Sequence, residues 1–499
     1  MWRSVCAAPT APGSWAMYGS SSTRAWSRTP ENASRLYPIR GIDPVVRCAF
    51  GLGALGAGPG EKRPRGFTGG PSMHRTARPR ALVTVLVLAA TAALTGPDAG
   101  AAPGAPPVER VTLSATGEQG DGHASAPLLS ADGRFAAFSS DAANLVPGDT
   151  NADTDVFVRD GRTRAVERVS VASDGTQADQ GSSLRDISAD GRYVLFGSRA
   201  RDLVPWETPP ADTGAEDVYL HDRRTGTTER ISVAFDGGSA YSAGARLSAD
   251  ARYVFFNAKA DRMEEGARDL FGAVYVHDRR TGRTERVSNT DRPTNAALLQ
   301  DVSADGRYVL YTQPVPRSSN GVTWVHDRRT GTEEQVNVKA DGSPATRYAM
   351  PATLSADGRT VAFENWDEDL LPGGGPDASD LYVRDLRRDV TRRIDAGPDG
   401  ETSPDRPVVS ADGRYVGYEA TPRLPDGSAG PANVYLRDLR TGGTRLISAS
   451  VTGGPVTDEP VHVTTISAGA ERVTLGSASS QLVAGDTNAA VDGYVRHRR

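Results

Sequence analysis

The pentapeptide Ser-Ala-Asp-Gly-Arg recurs along this 499-residue chain at a nearly constant interval. It is intact at Ser130–Arg134, Ser188–Arg192, Ser303–Arg307, Ser355–Arg359 and Ser410–Arg414, and degraded at Ser248–Arg252 and Ser467–Glu471. Successive serines lie 58, 60, 55, 52, 55 and 57 residues apart. A period of this size means supersecondary units that cannot bury their apolar faces alone and must stack on one another.

Each copy opens a longer pattern. An apolar run follows the pentapeptide, as in Tyr193-Val194-Leu195-Phe196 and Tyr253-Val254-Phe255-Phe256. After a polar stretch comes a second run ending in a basic residue and Asp, such as Val218-Tyr219-Leu220-His221-Asp222 or Val434-Tyr435-Leu436-Arg437-Asp438. A turn then leads to a third run of the type Glu229-Arg230-Ile231-Ser232-Val233. These runs are short, rich in β-branched and aromatic residues, and bounded by Gly, Asp and Pro, so they read as strands. With the apolar stretch before each pentapeptide the unit has about four strands. No segment keeps a helical period.

The turn chemistry agrees. In Ser-Ala-Asp-Gly-Arg, Ala and Asp suit the middle of a type I turn and Gly the left-handed position after it. The repeated Ser and Asp are therefore read as turn formers, not catalysts. His221, His277 and His326 occupy one repeat position, held by Arg159, Arg384 and Arg437 in other copies, and are read as structural for the same reason.

Four-stranded units repeated radially make a β-propeller. The last unit stops at its third strand, Gly493–His497, while the run Glu109–Ser114 precedes the first pentapeptide as an unmatched strand. The expectation is an all-β fold, a seven-bladed β-propeller of four-stranded antiparallel blades closed by the N-terminal strand, spanning 102–499. Closure removes the sheet edges an open array would expose.

The preceding region is different. Met73–Arg80 is basic, Ala81–Leu94 is apolar, and Ala99-Gly100-Ala101 offers small residues. This reads as a Sec signal peptide over 73–101, too short to span a membrane. Residues 1–72, rich in Ser, Gly, Pro and Arg, are expected to be a mis-assigned start or a disordered extension. Residues 1–101 carry 12 basic and 4 acidic residues out of totals of 57 and 62, leaving 45 basic and 58 acidic for 102–499, a balance of −13. An acidic domain argues against nucleic acid as partner. Both cysteines, Cys6 and Cys48, precede the signal, so disulfides do not hold the domain. A secreted monomer without a transmembrane anchor is expected.

The pairing of Ser-Ala-Asp-Gly-Arg-Tyr-Val-x-Phe with Asp-Val-Tyr-x-x-Asp-x-x-Thr-Gly resembles the TolB-type, WD-like propeller repeat of exported bacterial proteins, over about residues 108–499. The resemblance implies the propeller fold. TolB itself has six blades behind an α/β domain, neither of which matches here, so its envelope partners are not implied. Only three lysines among so many arginines, alanines and glycines suit a high-GC bacterium such as an actinomycete.

No Gly-x-Ser-x-Gly nucleophile elbow follows the repeats, the Asp-Gly spacing departs from that of sialidase turns, and no zinc or phosphate-loop motif is present. No residue is assigned a catalytic role. The long, variable connections gather at the end of the ring opposite the tight turns, where recognition is expected. Trp206 and Trp366 lie in two of them, with Asp367 and Asp369 beside the second. These four are candidate ligand contacts, against the alternative that the tryptophans pack between blades. Asp149, Asn151, Asp153 and Asp155 place oxygens at alternate positions, the spacing of a calcium loop, and a weaker copy runs from Asp486 to Asp492. The alternative is a polar connector.

Two functions follow. One is a non-enzymatic binding or scaffold propeller recognising a peptide, protein or glycan at the cell surface through its variable loops. The other is a hydrolase or lyase with its site at the axial channel. Unpaired carboxylates or His at the channel mouth favour the second, and satisfied or apolar groups the first.

Overall fold

The computed structural model describes residues 108–206, 214–267, 272–289, 296–314, 321–345, 349–367, 370–372, 380–394, 402–422, 424 and 426–498. These form seven four-stranded antiparallel sheets, one per pentapeptide. Blade 2 is typical. Its inner strand is Ser182–Ile187, followed by Tyr193–Ser198, Asp217–Asp222 and the outer strand Thr227–Arg230. Both middle strands are buried almost end to end, because each blade is covered on both faces by its neighbours. That is why these strands read as continuous apolar runs and not as alternation. Inner strands of successive blades touch around the ring, and that of blade 7 touches that of blade 1. They therefore surround the axis.

The ring closes as the repeat count requires. Val108–Arg110 pairs antiparallel with Asp492–His497, Val108 opposite Arg496 and Arg110 opposite Tyr494. The regular strand is shorter than the run Glu109–Ser114 suggested. Beyond Arg110 one further backbone–backbone bond to that strand follows, from Val111 N–H to the Gly493 carbonyl at 2.9 Å, and the Thr112 hydroxyl continues the contact, accepting the Gly493 N–H at 3.1 Å.

The pentapeptide owes its recurrence to a network of bonds. In blade 2, Ser188 Oγ donates to Asp190 Oδ1 at 2.7 Å, which also accepts the Arg192 N–H, while Ser188 Oγ accepts the Tyr193 N–H. Gly191 sits at φ 70°, and a Cβ there would stand 2.3 Å from the Phe135 ring of blade 1. In blade 3, Ala251 takes the same left-handed position at φ 54°. The alanine N–H of each turn donates to the alanine carbonyl of the next blade, from Ala131 to Ala189 and onward to Ala411. The pentapeptide arginine reaches the Asp that ends the third strand, as in Arg134–Asp160 at 2.6 Å and Arg414–Asp438 at 2.7 Å. Both turn sets therefore lie at one end of the ring. The repeated histidines are cross-strand pairs. His221 bonds Thr228 and His277 bonds Thr284, each at 2.9 Å, and Arg437 bonds Thr444 at the same place in blade 6.

Candidate functional site

The Asp149–Asp155 loop is held by side chains from outside it. Arg168, on the outer strand Val166–Arg168, lies 3.4 Å from Asp149 and 3.2 Å from Asp155. Gln177 donates to both carboxylates, at 2.9 and 2.7 Å, and Ser170 donates to Asp155 at 2.6 Å. Burial pushes the Asp155 carboxyl up despite these donors. Asn151 accepts the Asp153 N–H, and Asp153 turns away to accept the N–H groups of Thr154 and Gly181. Blade 7 repeats the device, with Arg110 against Asp486 and Asp492. Among the described residues no group of three or more His, Cys, Asp or Glu is arranged to hold a metal ion.

The two tryptophans lie on blades 2 and 5 and form no common cluster. Trp206 is half-buried between Arg201 and Arg230 of its own blade, whose guanidinium carbons stand 5.1 and 3.8 Å from the ring centroid. Trp366 is 45% exposed, and the adjacent Asp367 N–H is tied to Asn365. Asp369 lies outside the described residues.

The inner strands carry two groups of charges that no motif announced. Near the turn end, Asp186 accepts the Leu247 N–H of the next blade, Asp301 accepts the Leu354 N–H, and Arg246 stands between them, 3.7 Å from Asp301. Desolvation pushes Asp186 up to about 6. These charges stitch blade to blade through backbone donors.

Toward the loop end, blades 6 and 7 build the second group. The inner strand of blade 6, Thr402–Val409, bulges on both sides of Asp405. Its sequence, Pro404-Asp405-Arg406-Pro407, explains this, because a proline cannot donate to the ladder. Arg406 is forced to φ 48°, a left-handed conformation that costs a non-glycine residue about 1 kcal/mol or more. Asp405 sits directly opposite Glu419 of the second strand, Tyr415–Thr421. Like charges face to face destabilise a sheet. Glu419 is buried and is held by His462, the first residue of the blade 7 inner strand, whose Nδ1 lies 2.8 Å from Oε2. The Val463 N–H donates to the same carboxylate, and Arg406 stands 4.0 Å away. Burial first, and then the Glu419 charge, push Asp405 up to about 6.

Strain, a like-charge pair of one buried and one half-buried carboxylate, and an oriented imidazole thus meet at one point, the combination that marks functional sites. A His whose Nδ1–H is held by a carboxylate presents Nε2 as an acceptor. An Asp near pH 6 exchanges its proton readily, and Arg406 can meet an anionic group. The side chains come from three strands, so no linear motif exists. The signals in the sequence were the two prolines around Asp405-Arg406 and a Glu in a run that is otherwise apolar or small.

No protein-family model matches the chain, and no curated protein matches it. Solved structures do. Oligogalacturonate lyase from Vibrio parahaemolyticus superposes with a TM-score of 0.50 at 12% identity, covering 78% of this chain and 93% of that one. TolB from Acinetobacter baumannii gives 0.34 at 15%, covering 76% and 79%. The propeller domain of the Trilobed protease from Pyrococcus furiosus gives 0.45 at 12%, covering 71% and 89%. The chain is a β-propeller with TolB among its structural neighbours. At these identities the likeness concerns the fold alone.

Proposed function

We propose that this is an exported binding propeller whose site is the Asp405–Arg406–Glu419–His462 group at the loop end of blades 6 and 7. It takes a peptide or glycan that offers N–H or O–H donors to the carboxylates. The observation that carries this reading is the doubly bulged strand at Asp405, which holds two carboxylates opposite each other at a cost to stability. A ligand that donates between them relieves that cost. The other inner-strand charges favour a scaffold, since they are already used between blades. A peptide and glycan array probed with the chain and with Asp405→Asn tests the proposal. Selective capture that the variant loses supports it, and identical profiles refute it.

A second reading has its own observation. Glu419 orients His462 as it would a general base, and Asp405 has a proton to give at pH 6. A hydrolase or lyase of this design would lose turnover in His462→Ala as in Asp405→Asn, and its rate would fall as Asp405 ionises.

A further inference from the structure

A different part of the ring departs from the repeat. At the first three seams, between blades 1 and 4, three side chains recur on the turn side. An aromatic residue follows the pentapeptide of one blade, a Glu stands on that blade's outer strand, and an Arg follows the third-strand Asp of the next blade. Arg223 lies 4.3 Å over Phe135 and pairs with Glu167. Arg279 lies 4.4 Å over Tyr193 and 2.7 Å from Glu229, and Arg328 lies 4.4 Å over Tyr253 and 3.7 Å from Glu285. The arginine seals the seam by cation–π stacking and charge together.

Only the seam between blades 5 and 6 lacks all three residues. Thr360 replaces the aromatic, Arg392 replaces the Glu, and Leu439 replaces the Arg. The backbone register is unchanged. Arg392 stands opposite Val383 as Glu229 stands opposite Leu220, and the Leu439 N–H bonds the Arg414 carbonyl as the Arg223 N–H bonds Arg192. The lost side chains leave a cleft of about 890 Å³. Eight arginines and three aspartates line it. Arg387, Arg392 and Arg440 are exposed and, among the described residues, form no ion pair. Asp385 is matched by Arg388 at 2.8 Å, and Asp412 accepts Ser410 Oγ at 2.6 Å.

We propose that this cleft is a binding site for a multivalent oxyanion, a chain of phosphate or carboxylate groups that several guanidinium forks grip at once. A concave surface with an excess of positive charge, on a domain that is acidic as a whole, focuses the field on such a ligand. Arg forks match both anions bidentately, and the volume suits a small oligomer. Where the first three seams use the opposite-charge pair to join blades, this one has an Arg in place of the Glu, as Arg445 stands in blade 6, and has also lost the stacked wedge. The first change adds positive charge, and the second, at the cost of one arginine, opens space for something from outside. The site is on the turn side, shares no lining residue with the Asp405 group, and does not depend on that group's role.

The test is calorimetric titration of the full chain with inorganic tripolyphosphate and, separately, with citrate at matched ionic strength. One-to-one binding of at least one of them is expected, weakening as salt rises. Binding of tripolyphosphate alone assigns the site to phosphates, and of citrate alone to carboxylates. The triple variant Thr360→Tyr, Arg392→Glu, Leu439→Arg, which rebuilds the seal of the first three seams, should abolish binding. Arg392→Ala with Arg440→Ala, at exposed positions that leave the fold intact, should weaken it about 10-fold or more. No binding of either anion, or binding that the double variant leaves within twofold of the parent, overturns the proposal.

Discussion

Arg110 and Asp486 are ion-paired at 2.8 Å, and their side chains are 6% and 3% exposed. Asp492, 3.3 Å from the same guanidinium, accepts Thr112 Oγ1 at 2.7 Å. The strand that begins the described chain is thus fastened to the last blade by buried charge as well as by backbone pairing. Arg110→Ala would leave two buried carboxylates without their cation. A loss of about 3 kcal/mol is expected, read as a large fall in melting temperature. Deleting 108–114 should cost more, since it also exposes the edge of Asp492–His497.

The seam triads make a graded prediction. Arg279→Ala removes the stack on Tyr193 and the pair with half-exposed Glu229, and should cost about 1 kcal/mol in chemical denaturation. Leu439→Ala, at the seam with none of the three residues, removes only apolar packing and no charge. The destabilisation by Arg279→Ala should shrink at high salt, while that by Leu439→Ala should not.

The architecture was legible because it is encoded locally and seven times over. Ser188, Asp190 and Gly191 satisfy one another within a single turn, so their spacing alone shows what they do. Closure was legible because Glu109–Arg110 is the outer-strand motif standing at the wrong end of the chain. The sites were not legible, because each is a departure shared across blades. The spacing of Asp149 to Asp155 is visible in the sequence, but Arg168 and Gln177, which fill it, come from other elements. Asp405, Glu419 and His462 meet only after three strands are in register. Thr360, Arg392 and Leu439 become informative only when the copies are aligned, and reading the turns as uniform hid them.

Stability should change with pH in two windows. The Arg partners of Asp278 and Asp438 hold those carboxyls down to about 2. Their contribution is present above the ordinary carboxylate range and is lost as pH falls from about 4 toward 2. Asp405, pushed up to about 6, works in the opposite sense. The folded state holds its proton more tightly than the unfolded chain, so that contribution is full below about pH 4 and is lost as pH rises through 6. Asp405→Asn should remove a fall of order 2 kcal/mol between pH 4 and 6 and raise the melting temperature at pH 7. Asp186 and Asp217, also near 6, leave part of the slope in place.

Calcium is tested at the Asp149 loop. Arg168 already supplies positive charge to Asp149 and Asp155, so a cation must displace it or share the carboxylates with it. Millimolar calcium should leave the melting temperature of the chain unchanged. A rise with the logarithm of calcium concentration that Asp149→Ala removes would instead assign the loop to the metal.

The claim that this ring binds without transforming its ligand is tested most directly by recovering what it captures. Peptides and glycans retained by the chain would be eluted after prolonged incubation at pH 6 and weighed by mass spectrometry beside the same ligands retained by Asp405→Asn. The account predicts intact ligands from the parent chain and weak or no retention by the variant. Cleaved ligands from the parent, with cleavage lost in Asp405→Asn, would contradict it and establish the axial group as a catalyst.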